Sequence, residues 1–197
     1  MSDAAIVLCG GRSRRMARDK ASLPFGGETL LARVVRTVSR VVDEVWVVAR
    51  EGQDVPGAER FQIARDAEEG LGPLAGLRTG LEAMSAERAF LTSCDVPLLK
   101  SAYVEKLLEL SRGHPIAVPV VAGHSMVTSA VYSREVLPVA RRLLAERKLR
   151  PLYLVESFES RTVSAEELRE VDPELQSLFN CNTPEDYEQA LHTAGLA

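Results

Sequence analysis

A glycine pair followed by a strongly basic stretch is the feature of this sequence that most directly suggests chemistry. Gly10 and Gly11 are followed by five basic side chains before residue 21: Arg12, Arg14, Arg15, Arg18 and Lys20. Adjacent glycines let the backbone approach a ligand and turn its N–H groups toward an anion. Arginine binds phosphate through a planar fork and lysine through a point charge. The segment therefore predicts a polyphosphate site on a chain whose formal net charge is −4.

The spacing of this segment differs from two common phosphate-binding motifs. Ser13 and Met16 stand where GxGxxG requires glycines, and no Gly-Lys pair is present for GxxxxGK[ST]. This disfavours a Rossmann dehydrogenase and a P-loop NTPase. On composition alone, a solvated basic loop remains an alternative.

The elements that must position this segment alternate along the chain. Short apolar runs predict strands at residues 4–9, 44–49, 61–64 and 89–94. Helical spacing of apolar residues predicts helices over 30–42, from Gly72-Pro73 to about 84, and up to Gly113. Such alternation is typical of right-handed βαβ units in a mostly parallel sheet, where ligands lie beyond the carboxyl ends of the strands.

The pattern changes after residue 114. Extended runs at 116–121 and 126–132 around residues 122–125 predict a hairpin, and hence an antiparallel strand. Pro138 favours the start of a helix, and residues 161–163 are predicted to form an edge strand. Ser164 and Thr183 are predicted to be the N-termini of two further helices. We expect an α/β fold, a single-domain three-layer αβα sandwich with a Rossmann-like sheet, over residues 1–197.

Composition narrows the class of protein. Hydrophobic residues make up 46% of the 197 and charged residues 26%, as in soluble globular proteins. No apolar run is long enough to span a bilayer, and the N-terminus lacks the features of a signal peptide. Three separated cysteines, Cys9, Cys94 and Cys181, argue against a disulfide framework and favour a reducing cytoplasm. The net negative charge of the chain argues against nucleic acid as a partner.

Four blocks of sequence, in order, resemble the MobA-like nucleotidyltransferases, specifically the molybdenum cofactor guanylyltransferases. Residues 8–20 resemble L-x-G-G-x-S-x-R-M-G-x-D-K, with Ala17 for a glycine and Cys9 for a common alanine. The other blocks are Asp66 with Gly72-Pro-Leu-Ala-Gly76, Cys94-Asp-Val-Pro97, and Asn180-Cys-Asn-Thr-Pro184. Together the blocks span nearly the whole chain.

The resemblance implies a reaction. A terminal phosphate of molybdopterin would attack the α-phosphorus of GTP, pyrophosphate would leave, and the guanine dinucleotide cofactor would form. Lys20 and Arg15 would hold the triphosphate and offset the charge of the departing pyrophosphate. Asp95 would bind Mg²⁺, which would polarise the α-phosphate.

The same resemblance implies a set of nucleotide-contacting residues: Leu8, Cys9, Gly10, Gly11, Lys20, Asp66 and Asp95. The first three would contact base and ribose largely through their backbone. Arg50 stands where the family usually has an asparagine, which leaves that base or ribose contact open.

Asn180 and Asn182 would face the pterin, and His124, at the predicted hairpin tip, could also reach it. Transient contact with proteins that deliver or receive the cofactor is a further expectation, with no membrane involved.

Several alternatives remain open. Asp95 could cap a strand end, Asp66 could cap a turn, and Asn180 could satisfy loop backbone. At the level of function, the chain could transfer cytidylyl to molybdopterin, transfer a nucleotide to a sugar phosphate, or bind nucleotides without catalysis. A non-catalytic module would be expected to lose Lys20 or Asp95, and both are present.

Overall fold

Strands and helices alternate along the chain, as the hydrophobic pattern predicts. The computed structural model describes residues 2–10, 20–66, 68 and 70–197. Its strands are β1 (Asp3–Leu8), β2 (Pro24–Phe25), β3 (Glu28–Thr29), β4 (Glu44–Arg50), β5 (Gln62–Asp66), β6 (Arg88–Ser93), β7 (Ile116–Val121), β8 (His124–Ser125), β9 (Ala130–Ser133) and β10 (Arg161–Ser164). Its α-helices are α1 (Leu30–Val38), α2 (Pro73–Ala83), α3 (Ser101–Leu110), α4 (Leu137–Ala145), α5 (Pro151–Glu156), α6 (Ala165–Arg169) and α7 (Pro184–Thr193).

The main sheet is mostly parallel. Its strand order is β10-β7-β9-β6-β1-β4-β5, with β8 paired to β7, and β2 and β3 form a separate two-stranded sheet. Within the main sheet, β9 runs antiparallel to both of its neighbours, β6 and β7, and β8 runs antiparallel to β7. The carboxyl ends of β1, β4, β5 and β6 therefore meet at one edge, which confirms the predicted α/β class.

Two helical layers cover the sheet. Ala4 and Ile6 of β1 pack in a core with α2, α4 and α5, whereas Ala5 and Val7 pack in a core with α1, α3 and α6. This alternation follows from the two-residue period of a strand. A third cluster around Phe25 and Cys181 joins α7 to the β2–β3 hairpin. The three-layer αβα sandwich is confirmed.

Two glycines let α2 approach the centre of the sheet. A Cβ placed on Gly76 would lie 2.6 Å from Leu8 Cδ2, and one on Gly80 would lie 2.7 Å from Ile6 Cδ1. Both neighbours are side chains of the central strand β1, one of them fully buried. The close approach holds the N-terminus of α2, at Pro73, beside the carboxyl end of β1.

The chain departs from the sequence prediction in several places. The hairpin forms through a turn in which Ala122 and Gly123 have φ of 50° and 79°, but its second arm is divided into β8 and β9, which both pair with β7. Residues 126–129 form a turn instead of a strand, since the backbone N–H of Ser129 bonds to Met126. Helix α1 ends at Val38, before the predicted 42. The β2–β3 hairpin and α5 carried no periodic signal.

The predicted helix N-termini at Ser164 and Thr183 are confirmed. Each forms a capping box, with Glu167 and Asp186 respectively as the reciprocal partner. Among the residues that the structure describes, none belongs to a helix long and apolar enough to cross a membrane.

Candidate active site

Three side chains that are far apart in sequence meet at the carboxyl edge of the sheet. Lys20 Nζ lies 2.7 Å from Asp95 Oδ2 and donates to Asn182 Oδ1 at 3.0 Å. The side chains of Lys20 and Asp95 are both 16% exposed, so the pair is largely shielded but still accessible from solvent. The sequence analysis assigned these residues to three separate blocks, and the fold brings them together at one point.

The Asp95 carboxylate is held from two further directions. Its Oδ1 accepts a hydrogen bond from the Ser93 hydroxyl, at the end of β6. The Asp95 backbone carbonyl accepts from the Cys181 N–H at 2.8 Å, which docks the C-terminal segment against the end of β6. Asp95 therefore has a fixed orientation, as a group that binds a ligand requires.

The N-terminus of α7 fixes Asn182. Asp186 Oδ2 accepts from the backbone N–H groups of Asn182 and Thr183, each at 2.9 Å. These two hydrogen bonds lower the pKa of Asp186, so the acceptor stays ionised. Asn180, by contrast, is exposed and donates to the Leu178 carbonyl at 3.3 Å. Of the two asparagines expected at the pterin, Asn182 contacts Lys20 and Asn180 contacts loop backbone.

The oxygens around Lys20 form a cradle suited to a cation. Asp95 supplies one carboxylate and Asn182 one amide oxygen, both directed at the same ammonium group. Within residues 2–10, 20–66, 68 and 70–197, no cluster of three or more His, Cys, Asp or Glu side chains could hold a metal. A hard cation such as Mg²⁺ needs only one or two carboxylates when phosphate oxygens and water complete its shell.

A cavity of about 430 Å³ lies beyond β1, β4 and β5, a volume typical of small-molecule sites. It is lined by Leu8, Gly10, Val48, Ala49, Arg50, Asp66, Glu68, Gly70, Gly72, Pro73 and Gly76. This set includes three of the predicted nucleotide-contacting residues, three residues of the GPLAG block and the substituted position Arg50. The carboxyl ends of adjacent parallel strands thus form its floor.

Asp66 lies in the cavity wall with two polar partners. Its Oδ1 accepts from the Glu68 N–H at 3.2 Å and lies 3.7 Å from Arg78 Nη2. The turn-capping alternative is therefore realised, while Asp66 also lines the cavity. Arg78, on α2, also pairs with Glu68 at 3.2 Å, so it braces this wall from behind.

Cys9 is placed differently from its two neighbours. Its side chain is 4% exposed and packs in the core with α1 and α3, and it does not line the cavity. Its N–H donates to the Val48 carbonyl at 2.8 Å, and its carbonyl accepts from Gln53 Nε2 at 3.1 Å. Both backbone groups are thus used within the fold, which leaves Leu8 and Gly10 as the described members of this block that line the cavity.

The other two cysteines are also buried, and all three are free thiols. Burial, reinforced by the charges of Asp95 and Asp186, raises the pKa of Cys181 to about 12. Cys181 is therefore protonated at neutral pH and acts as a small apolar side chain. His124 lies on β8 and is exposed.

Two predicted residues, Gly11 and Arg15, lie outside the described residues. Conversely, the sequence analysis missed Ser93, Gln53 and Arg78, which contact Asp95, Cys9 and Asp66 respectively. Ser93 was detectable, since it immediately precedes the Cys94-Asp95 block. Gln53 has no motif around it and Arg78 lies just outside the GPLAG block, so only the fold relates these two residues to the site.

Comparison with known proteins relates the chain to one family. Residues 5–161 match the family described as the MobA-like NTP transferase domain. A "Probable molybdenum cofactor guanylyltransferase" of Methanosarcina acetivorans is 37% identical, over 96% of this chain and 90% of the relative. A "Molybdenum cofactor guanylyltransferase" of Desulfosudis oleivorans is 35% identical, over 94% and 92% of the two chains.

The fold has a close counterpart among solved structures. The crystal structure of molybdopterin-guanine dinucleotide biosynthesis protein A from Archaeoglobus fulgidus superposes with a TM-score of 0.83. The alignment covers 99% of this chain and all of the other, at 24% identity, and at that identity it supports the fold alone.

Proposed function

The chain belongs to the MobA-like NTP transferase family and is a nucleotidyltransferase, and we propose that it transfers GMP from GTP to the terminal phosphate of molybdopterin, releasing pyrophosphate. One observation carries the proposal: Lys20 contacts both Asp95 and Asn182 at the carboxyl edge of the sheet. The same edge borders the cavity. The relatives named as guanylyltransferases support the choice of GTP and molybdopterin.

The cavity suits the nucleoside part of GTP. Leu8 and Pro73 provide an apolar surface, and Gly10 lets the ligand come close to the backbone. Asp66 provides a hydrogen-bond acceptor for the ribose or base. The triphosphate would then extend toward Lys20, and Arg15 is proposed to assist there. Lysine as a point charge can follow the developing negative charge of the pyrophosphate, which stabilises the transition state.

Asp95 and Asn182 are proposed to hold a divalent cation, Mg²⁺, together with phosphate oxygens of GTP. Their oxygen donors fit a hard cation, and Ser93 keeps the carboxylate oriented. When bound, such an ion polarises the α-phosphate and offsets its charge. Lys20 must leave Asp95 for this arrangement, and the β- and γ-phosphates offer its ammonium an alternative anionic partner.

The acceptor is proposed to enter from the C-terminal side of Asp95. A second cavity, of about 400 Å³, lies between the β7–β8 hairpin and the C-terminal segment, with Leu98, Val121 and Phe179 in its wall. Leu98 and Phe179 directly flank the Asp95 and Asn180 blocks in sequence. This supports a role for Asn180 at the rim of a molybdopterin site.

Further parts of the proposal concern the whole chain. Residues 1–197 would form one nucleotidyltransferase domain, because the C-terminal segment supplies Asn182 to a site whose other members lie within residues 5–161. Three buried free cysteines suit a reducing cytoplasm. Transient contacts with proteins that deliver or receive the cofactor would occur around the acceptor cavity.

Pyrophosphate release from each of the four NTPs, with Mg²⁺ and molybdopterin, tests this proposal. We expect release with GTP that requires molybdopterin, with other NTPs at least about tenfold slower. Efficient release with CTP would indicate cytidylyl transfer, and release that requires a sugar phosphate would indicate a different acceptor. Binding of GTP without any release would support a non-catalytic module.

A further inference from the structure

A group of hydrogen bonds behind the nucleotide cavity joins β1 to the end of β4. We call it the Gln53 clamp, and its members are Cys9, Arg50, Gln53 and Arg65. Gln53 Nε2 donates to the Cys9 carbonyl at 3.1 Å, while Gln53 Oε1 accepts from the Arg50 N–H at 3.2 Å. One amide side chain therefore binds the residue between Leu8 and Gly10 and also the last residue of β4.

Arg65 closes the clamp from the neighbouring strand β5. Its Nη1 donates to the carbonyls of Gln53 at 2.7 Å and Arg50 at 3.0 Å. The Gln53 N–H also donates to the Arg50 carbonyl at 3.2 Å, which closes the turn over residues 50–53. Gly52 allows this turn through its φ of 69°, a conformation that side chains disfavour.

The clamp determines the shape of one cavity wall. Leu8, Gly10, Ala49 and Arg50 line the cavity, whereas Gln53 and Arg65 do not. A Cβ on Gly10 would lie 3.3 Å from Arg50 Cγ, so the ends of β1 and β4 are already in close contact there. Any rotation of the Cys9 peptide would therefore move Gly10 against Arg50 and change the wall.

We propose that Gln53 and Arg65 are positioning residues that set the selectivity of the site among nucleobases. They act by fixing the Cys9 peptide and the Arg50 backbone, and thereby the orientation of Gly10 and Arg50 against the base. The inference rests on the proposed function, since it assigns the base to this wall. Selection by hydrogen bonds needs donors and acceptors placed within about half an ångström, which a clamped strand end provides and a free loop does not.

The experiment compares full-length variants for GTP and CTP with Mg²⁺ and molybdopterin. Gln53→Ala should raise the KM for GTP about tenfold, leave kcat within about twofold, and lower the ratio of kcat/KM for GTP over CTP about tenfold. Gln53→Glu keeps the shape of the side chain and the acceptor for the Arg50 N–H but puts an oxygen against the Cys9 carbonyl. It should therefore lose as much GTP-over-CTP selectivity as Gln53→Ala. Arg65→Ala should have the same effect as Gln53→Ala. Arg65→Lys, which keeps a hydrogen-bond donor, should retain part of the selectivity that Arg65→Ala loses.

Gln62→Ala, an exposed position on β5, is the matched control and should keep wild-type values. Unchanged GTP-over-CTP ratios in both Gln53→Ala and Arg65→Ala would overturn the inference, as would a fall in kcat alone. A wild-type protein inactive with both nucleotides would instead contradict the proposed function. If Gln53→Ala does not fold, Arg65→Lys measured against Arg65→Ala decides the question.

Discussion

The ammonium of Lys20 lies 2.7 Å from the carboxylate of Asp95, although 75 residues separate them in sequence. The proposed mechanism gives these groups different partners in the working complex: phosphate for the lysine and a divalent cation for the aspartate. Their direct contact means that each blocks the other's ligand. Binding of the nucleotide and of the metal should therefore be coupled.

This coupling predicts that removing the lysine charge strengthens metal binding. Without nucleotide, Lys20→Met should bind Mn²⁺ about tenfold more tightly than wild type, because no ammonium competes for Asp95. Electron paramagnetic resonance titration of free Mn²⁺ measures this without any turnover. Lys148→Met, which removes an exposed ammonium paired with Glu146, is the control. Equal or weaker Mn²⁺ binding by Lys20→Met would show that Lys20 does not occupy the cation position.

The same lysine should be essential for turnover. Lys20→Ala should lower kcat about a hundredfold or more, because a charge directed at a developing anion is worth several kcal/mol in a shielded site. The fold should survive, since the Lys20 side chain belongs to none of the three apolar clusters that form the core. Circular dichroism and steady-state kinetics test both statements. Near-normal turnover in folded Lys20→Ala would remove Lys20 from the mechanism.

Asp95→Asn should change the metal requirement more than the stability. The amide keeps the shape of the side chain but loses the charge that attracts a hard cation. We expect half-maximal activity at an Mg²⁺ concentration about tenfold higher, with maximal activity also reduced. Activity titrated against Mg²⁺ provides the measurement, and Asp54→Asn, at an exposed position, provides the control. An unchanged Mg²⁺ dependence would place the metal ligand elsewhere.

A buried aspartate should make the C-terminal segment sensitive to acid. Asp172 is fully buried and accepts from Lys100 Nζ at 2.6 Å and from the Ser177 N–H at 2.7 Å. Burial acts to raise the pKa of Asp172, but hydrogen bonds from Lys100 and Ser177 outweigh it and lower the pKa. The carboxylate therefore stabilises the fold above its unfolded pKa of about 4, and this contribution is lost as pH falls through the lowered folded value.

Asp172→Asn should lower the free energy of unfolding by about 2 kcal/mol at pH 7, and the difference from wild type should shrink as the pH approaches the lowered pKa. Denaturant unfolding at several pH values tests this. A difference that is independent of pH would mean that the loss comes from packing and not from the charge.

The sequence was sufficient to predict the parallel core, because the core depends on local signals. The site residues came from ordered sequence blocks, and their roles stay predictions. The strand before Gly10, the helix at Pro73 and the Asp95 block each carry their own pattern of apolar, glycine and charged residues. The β2–β3 hairpin was missed because two-residue strands show no period. Gln53 and Arg65 were missed because their role depends on which strands are neighbours, and the order of β4 and β5 is a property of the tertiary fold.

Asn182 illustrates the same limit. The resemblance implies that both asparagines of the last block face the pterin, which stays a prediction. In the structure Asn182 contacts Lys20 and Asn180 contacts the Leu178 carbonyl. Asp186, the capping-box partner of Thr183, also accepts from the Asn182 N–H and so ties Asn182 to the start of α7. The N-cap signature could be recognised in the sequence, whereas the contact of Asn182 with Lys20, 162 residues away, depends on the tertiary fold.

Tracing the phosphates of GTP tests the central claim most directly. The purified protein would be incubated with Mg²⁺, molybdopterin and GTP labelled at either the α- or the γ-phosphate. Guanylyl transfer predicts that the α-label appears in the pterin product and the γ-label in pyrophosphate, with both forming about a hundredfold or more slowly in Lys20→Ala. A γ-label in the pterin product, or an α-label that remains in free nucleotide while phosphate is released, would contradict it.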